Sequence, residues 1–186
     1  MLDHARLKEV LSYDPETGFF TRLVSGGGVI AGSVVGDRAN HAGGYVQVSV
    51  DDKGYLAHRL AVFYMTGKWP KVKTDHWNRK RSDNRWVNLR LASSQQNCAN
   101  RSKGASYRGK PMSSRHKGVT WDKRNNKWMA KITFHRKTIN LGRFDNEMAA
   151  AGAYIVKAIE LFEDFAAHEA REHGGPPPGL APQPGP

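Results

Sequence analysis

The amino-acid sequence predicts an α+β protein built from two folding units. Three observations carry that reading. Short alternating runs such as Tyr45–Val50 punctuate the first hundred residues, between helix-length segments. A second set of alternating runs begins near Gly118 and ends in one apolar helical stripe. Between the two lies SKGASYRGKPMS, polar and without periodicity.

In chain order, residues 3–12 suggest a short helix with Leu7, Val10 and Leu11 on one face. Tyr13–Gly18 reads as a turn, Phe19–Val24 as a strand, and Ala31–Val35 as another beyond Gly26-Gly27-Gly28. That glycine run lacks the Lys-Ser/Thr of a phosphate-binding loop and is read as a plain loop. In Tyr45–Val50 the valines 46, 48 and 50 share a side, and Lys53-Gly54 is expected to turn the chain into Tyr55-Leu56. A helix over 57–66 closes at Gly67, and Trp69-Pro70 leads onward. Ser93 or Ser94 caps a further helix bearing Asn97 and, one turn later, Arg101.

In the second unit, strands are expected at Gly118–Asp122, Trp128–His135 and Thr138–Leu141. A helix from near Asn146 carries Met148, Ala151, Ile155, Ala158 and Phe162 on one stripe. That helix covers the apolar face of a three-stranded antiparallel sheet. The opposite face displays Thr120, Lys131, Thr133 and Asn140, with Arg124 and Arg143. The sequence closes on the Pro/Gly-rich tail 166–186, which contains His168 and His173 and is expected to be disordered and solvated.

The segment richest in chemistry is DHWNRKRSDNRWVNLRLASSQQN, residues 75–97. It sets a carboxylate beside an imidazole (Asp75, His76), with carboxamides at Asn88 and Asn97, 12 and 21 residues after His76. Arg79, Arg81, Arg85 and Arg90 surround them. An oxygen donor for a hard divalent ion, a group titrating near neutrality and a cationic surround suit phosphodiester hydrolysis. Magnesium takes few protein ligands, whereas the single cysteine, Cys98, excludes a four-thiolate zinc site; no structural zinc is expected. Neighbours on a regular strand face opposite ways, so Asp75 and His76 share a site only at a bend or strand end. Asp75 and Asn88 also suit ordinary turns, with His76 then a polar surface residue.

These residues resemble the HNH endonuclease motif in its free-standing, phage-type homing form, and YLAHRLAVFYMTGKWP (55–70) resembles that group's lead-in. The resemblance spans roughly residues 1–102 and implies a ββα-metal nuclease module. It implies that Asp75 and Asn97 ligate Mg2+ or Mn2+, that His76 is the general base, and that Asn88 holds the imidazole or its loop. His58 is either a buttress of this site or phosphate contact, or a satisfied structural residue. HKGVTWDKRNNKWMAKITF, INLGRF and AAAGAY, within 114–165, resemble the plant ethylene-response-factor (APETALA-type) DNA-binding domain. Thr120 and Asp122 stand where plant members carry base-reading arginines, so no target site transfers.

Net charge is 29 − 17 = +12, a balance suited to nucleic acid or an anionic membrane surface. No apolar run is long enough to span a bilayer, and MLDHARLKEVL lacks secretory features. One cysteine fits a reducing compartment. The sequence thus reads as an intracellular protein of a bacterium or phage-infected host, a favoured monomer, acting on double-stranded DNA and not on membranes. It comprises a nuclease module (1–102), a linker (103–113) touching the DNA backbone through Lys103, Arg108 and Lys110, and a sheet-reading module (114–165). Expected DNA contacts are Arg79, Arg81, Arg85, Arg90, Arg101, Lys117, Thr120, Arg124, Lys131, Thr133, Asn140 and Arg143. The competing readings are a DNA-binding regulator with a decayed nuclease and, with no base-stacking aromatic motif to support it, an RNA-binding protein.

Overall fold

Helix α1 (His4–Val10) opens the chain of this computed structural model, which describes residues 2–107 and 109–166. Asp3 caps it by accepting from the Arg6 amide. Leu7, Val10 and Leu11 are fully buried, but Leu11 already belongs to a strand, so the helix ends two residues earlier than its apolar spacing suggested. Strands β1 (Leu11–Tyr13), β2 (Phe20–Arg22) and β3 (Val34–Val35) form an antiparallel sheet in the order β1-β2-β3.

Strand β4 (Gln47–Val50) pairs with β5 (Lys53–Leu56). Val46, Val48 and Val50 are buried as their alternation requires. The turn falls at Asp51-Asp52, both at positive φ (47° and 59°), and not at Lys53-Gly54. Two successive left-handed residues match the twist of a two-residue hairpin, and Asp tolerates that region through its short polar side chain. Helix α2 (Ala57–Thr66) ends where expected: Gly67, at φ 68°, donates its amide to Phe63 O. Leu60, Ala61 and Phe63 join the valines, Phe20 and Tyr13 in one core.

The hairpin β6 (Lys73–His76) and β7 (Leu89–Ala92) follows, in the register Thr74↔Leu91, Asp75↔Arg90, His76↔Leu89. Leu89 inserts into the α2 core. Next come α3 (Ser94–Asn100) and a small hairpin, β8 (Ser106–Tyr107) with β9 (Lys110–Pro111). The stretch read from sequence as a linker therefore contains ordered pairing. Arg108 lies outside the described residues.

The described chain divides into two compact units that meet between Ser93 and Ser94. The second holds the antiparallel sheet β10 (Val119–Asp122), β11 (Lys127–Phe134), β12 (Lys137–Phe144) and helix α4 (Glu147–Phe162). Asn146 caps α4 through the Met148 amide. Strand β12 runs through Gly142 to Phe144, longer than expected, because a bulge near Ala130/Lys131 keeps it paired to β11. His135 and Arg136 make its left-handed turn (φ 46° and 64°). The buried stripe of α4 is Ala150, Ala151, Tyr154, Ala158 and Phe162, while Met148 is 59% exposed. Ala151, Ala158 and Phe162 are buried as expected, while Ala150 and Tyr154 take the places of Met148 and Ile155, the small alanines allowing close approach to Val119 and Ala130. Ala99 of α3 packs with Ile132, Tyr154 and Phe162 in this unit. No described helix is long and apolar enough to cross a membrane. The tail beyond Ala166, with His168 and His173, lies outside the described residues.

Candidate nuclease site and sheet surface

His76 is the last residue of β6, the strand-end position at which consecutive residues escape strict alternation. It is 4% exposed, and its Nε2 lies 3.2 Å from Asn84 Oδ1. Burial lowers its pKa below the ordinary imidazole value, against the opposing pull of the Asn84 hydrogen bond and the Asp75 charge. The ring is therefore neutral at pH 7 and able to accept a proton. His58, from the first turn of α2, meets it edge-on with centroids 5.0 Å apart, and Tyr45 lies 5.2 Å from His58. Burial, then the charges of His76 and Arg59, bring His58 down to about 3. Its Nδ1 is buried without a hydrogen-bond partner among the described residues.

Asn88 is buried and clasps the loop after β6. Its Oδ1 accepts from the Asn78 amide (3.0 Å) and its Nδ2 donates to Asp83 O (2.7 Å). Of the two tasks the resemblance offered for Asn88, the hydrogen bonds describe the loop. The imidazole's own amide partner is Asn84, which the sequence reading passed over. Its only signal there was a second Asn inside the arginine-rich loop.

The cations around the site separate by environment. Arg90 is 2% exposed, and its Nε and Nη2 both donate to Asp75 Oδ2 (3.0 and 2.9 Å) across the hairpin. The expectation that Arg90 grips a phosphate is corrected: cross-strand pairing turns it inward onto a buried carboxylate. Arg85 is exposed but forks onto Asp83 (2.8 and 2.7 Å). Burial alone would raise the Asp83 carboxyl, yet Arg85 and Asn78 hold it below the usual carboxylate value. Arg81 is exposed, donates to Gly43 O (2.7 Å) and lies over the Tyr45 ring. Arg79, at φ 64°, is half-buried and donates its amide to His76 O (3.0 Å).

In the second unit, Asn97 is half-exposed on α3, with Arg101 exposed just past the helix. Lys117 donates to three carbonyls at the end of α3, Cys98 (2.6 Å), Ala99 (2.8 Å) and Arg101 (2.9 Å). A helix C-terminus leaves its last carbonyls unpaired, so the half-buried Lys117 ammonium caps the helix from within the unit. Lys103 is likewise committed, to His116 O (3.0 Å) and Val119 O (2.6 Å), and its burial lowers its pKa. Lys110 is exposed.

The register sets Thr120, Met129 and Arg143 in one row across the sheet, with Lys131 beside Asn140 and Thr133 beside Thr138. Lys131, Thr133, Asn140 and Arg143 are exposed. Arg124 lies exposed in the β10–β11 turn. Arg143 donates to Asp122 (2.8 Å), and this bond, with that of Asn125, lowers Asp122 to about 2.

Among the described residues, no three His, Cys, Asp or Glu side chains gather as a metal site. Asp75, in the first unit, is a carboxylate and Asn97, in the second, a carboxamide; hard-oxygen groups of these types are the kind magnesium and manganese take, which retain much of their water.

None of the curated proteins compared with the chain matches it. A family model described as HNH endonuclease matches residues 55–99, a stretch that includes His58, Asp75, His76, Asn84, Asn88, Arg90 and Asn97. This part of the chain, with a buried neutral imidazole at a strand end and an Asn-clasped loop beside it, is similar to the HNH endonucleases, which supports a nuclease acting on DNA.

Proposed function

We propose that the protein is a metal-dependent DNA endonuclease of the homing type, with a ββα-metal catalytic module and a C-terminal ethylene-response-factor-like sheet that selects the site. The observation that carries this reading is the buried, neutral His76 ending β6 inside the HNH-matching segment. His76 takes the proton of the attacking water, and Asn88 holds the loop that shapes its surroundings. Asp75 and Asn97 would hold Mg2+ or Mn2+, which when bound stabilises the charge that develops on the phosphoryl and leaving oxygens. Arg79, Arg81, Arg85 and Arg101 hold flanking phosphates and fix register without reading sequence. Thr120, Arg124, Lys131, Thr133, Asn140 and Arg143 face the major groove, where base edges carry a distinct donor and acceptor pattern.

One observation favours a second reading, a DNA-binding regulator with a decayed nuclease: Arg90 already compensates the Asp75 charge. Plasmid cleavage with magnesium decides between them. The nuclease reading expects cleavage that EDTA abolishes and that His76→Ala lowers about 100- to 10,000-fold, the usual worth of a general base, with DNA affinity kept. Tight, site-selective binding with no cleavage in any divalent ion establishes the regulator instead.

A further inference from the structure

We infer that Asn84 is a positioning residue that fixes which nitrogen of His76 carries the proton. Asn84 is 1% exposed and held from three sides. Its Nδ2 donates to Ser82 O (3.3 Å), and its backbone carbonyl accepts from the Tyr13 hydroxyl (2.7 Å). The turn at Gly18, φ 77°, closes so tightly that an added Cβ would overlap the Asn84 carbonyl carbon and the Arg85 amide. With its amide nitrogen committed to Ser82, Asn84 presents Oδ1, an acceptor only, to the His76 ring at 3.2 Å. The ring must answer with a donor. A neutral imidazole has one N–H, so Nε2 carries the hydrogen and the basic lone pair sits on Nδ1.

The rest of the pocket sets the ring's plane. His58 packs edge-on at 71° and Tyr45 lies 6.1 Å away. The Asn88 side chain bonds the backbone of Asn78 and Asp83, so the two asparagines divide the work: one shapes the loop, the other selects the tautomer. The catalytic consequence rests on the reading of His76 as the base. The tautomer itself does not.

The test uses the full chain labelled with 15N-histidine. Of its eight histidines, His76 is assigned by the signal missing from His76→Ala. Long-range 1H–15N spectra at neutral pH distinguish a protonated from a bare ring nitrogen. The expected wild-type spectrum has His76 protonated at Nε2 and bare at Nδ1. Asn84→Leu, which removes the acceptor at similar volume, mixes or reverses the tautomers. It lowers kcat about 10- to 100-fold, the usual cost of losing an imidazole's orienting partner, with KM for DNA unchanged. Asn84→Asp restores the acceptor, the Nε2–H tautomer and most of kcat. A wild-type proton on Nδ1, or a wild-type tautomer in folded Asn84→Leu, overturns the inference. Should Asn84→Leu fail to fold, the wild-type and Asn84→Asp spectra still decide. Wild-type protein inactive with every divalent ion refutes the nuclease reading, while the spectra judge Asn84 separately.

Discussion

Replacing Arg90 by Met separates a structural cation from a DNA-gripping one. The two residues of the pair are 2% and 6% exposed, and the Arg90 Nε and Nη2 both donate to Asp75 Oδ2. A methionine keeps most of the apolar stem but leaves Asp75 buried without its counter-charge. Breaking a buried pair from one side costs about 3–5 kcal/mol, against about 0–1 kcal/mol for an exposed pair. For a unit of this size each kcal/mol moves Tm by about 4–8 °C, so the first unit should melt at least about 12 °C lower. Circular dichroism melting measures this. The double variant Asp75→Asn, Arg90→Met should regain part of the loss, because no buried charge remains. DNA affinity against salt supplies the contrast: a phosphate contact would lower the slope of log K against log salt by about 1, and here the slope should hold. An unshifted Tm with a reduced slope would refute the buried-pair assignment.

Gly118→Ala should destabilise the second unit by about 2 kcal/mol or more, since Gly118 sits at φ 74° and a Cβ there meets the Tyr154 ring and Lys131 O at 2.5 Å; an unchanged melting temperature contradicts that packing. His58 is neutral in the folded protein with its pKa near 3, while the unfolded imidazole protonates near 6.5. Stability should thus be level above about pH 6.5 and fall below it, by about 2 kcal/mol at pH 5, as the unfolded chain takes up a proton that the pocket of His76, Tyr45 and Arg59 refuses. Urea unfolding at the two pH values measures this, and His58→Gln should shrink the difference. Lys131→Ala and Asn140→Ala should each relax site preference by about 1–3 kcal/mol in competition binding; equal losses on all sequences would reassign these residues to phosphate contact.

Much of this architecture is legible in local pattern, because helices and strands bury faces at fixed periods. The valines of β4, the Gly67 stop of α2 and the outward exposure of Lys131, Thr133 and Asn140 all follow from spacing alone. What escaped depends on partners that no period reveals. Arg90 reads like its arginine neighbours until hairpin register sets it opposite Asp75. Lys117 and Lys103 look like phosphate contacts until their acceptors, backbone carbonyls up to 19 residues away, are known. Asn84 finds His76 only because the intervening loop folds back under Asn88. The α4 stripe is legible at Ala151, Ala158 and Phe162 but misses Ala150 and Tyr154, since the contact of Ala150 with Val119 and Ala130 shows only once the sheet is formed.

The lysine cap of α3 has a practical consequence for recombining this protein with others. A chimera spliced at residue 113, inside the glycine- and serine-rich stretch that looks like the natural joint, inherits α3 from one parent and its cap from the other. Unless the donor also carries a lysine at position 117, the carbonyls of 98, 99 and 101 lose the ammonium that joins them and the end of the helix bearing Asn97 should fray. A splice between Ser93 and Ser94 transfers helix and cap together. Under the proposed function, a splice at that earlier joint moves Asn97 together with the β10–β12 sheet, so a chimera built to exchange targets would also exchange a proposed metal ligand.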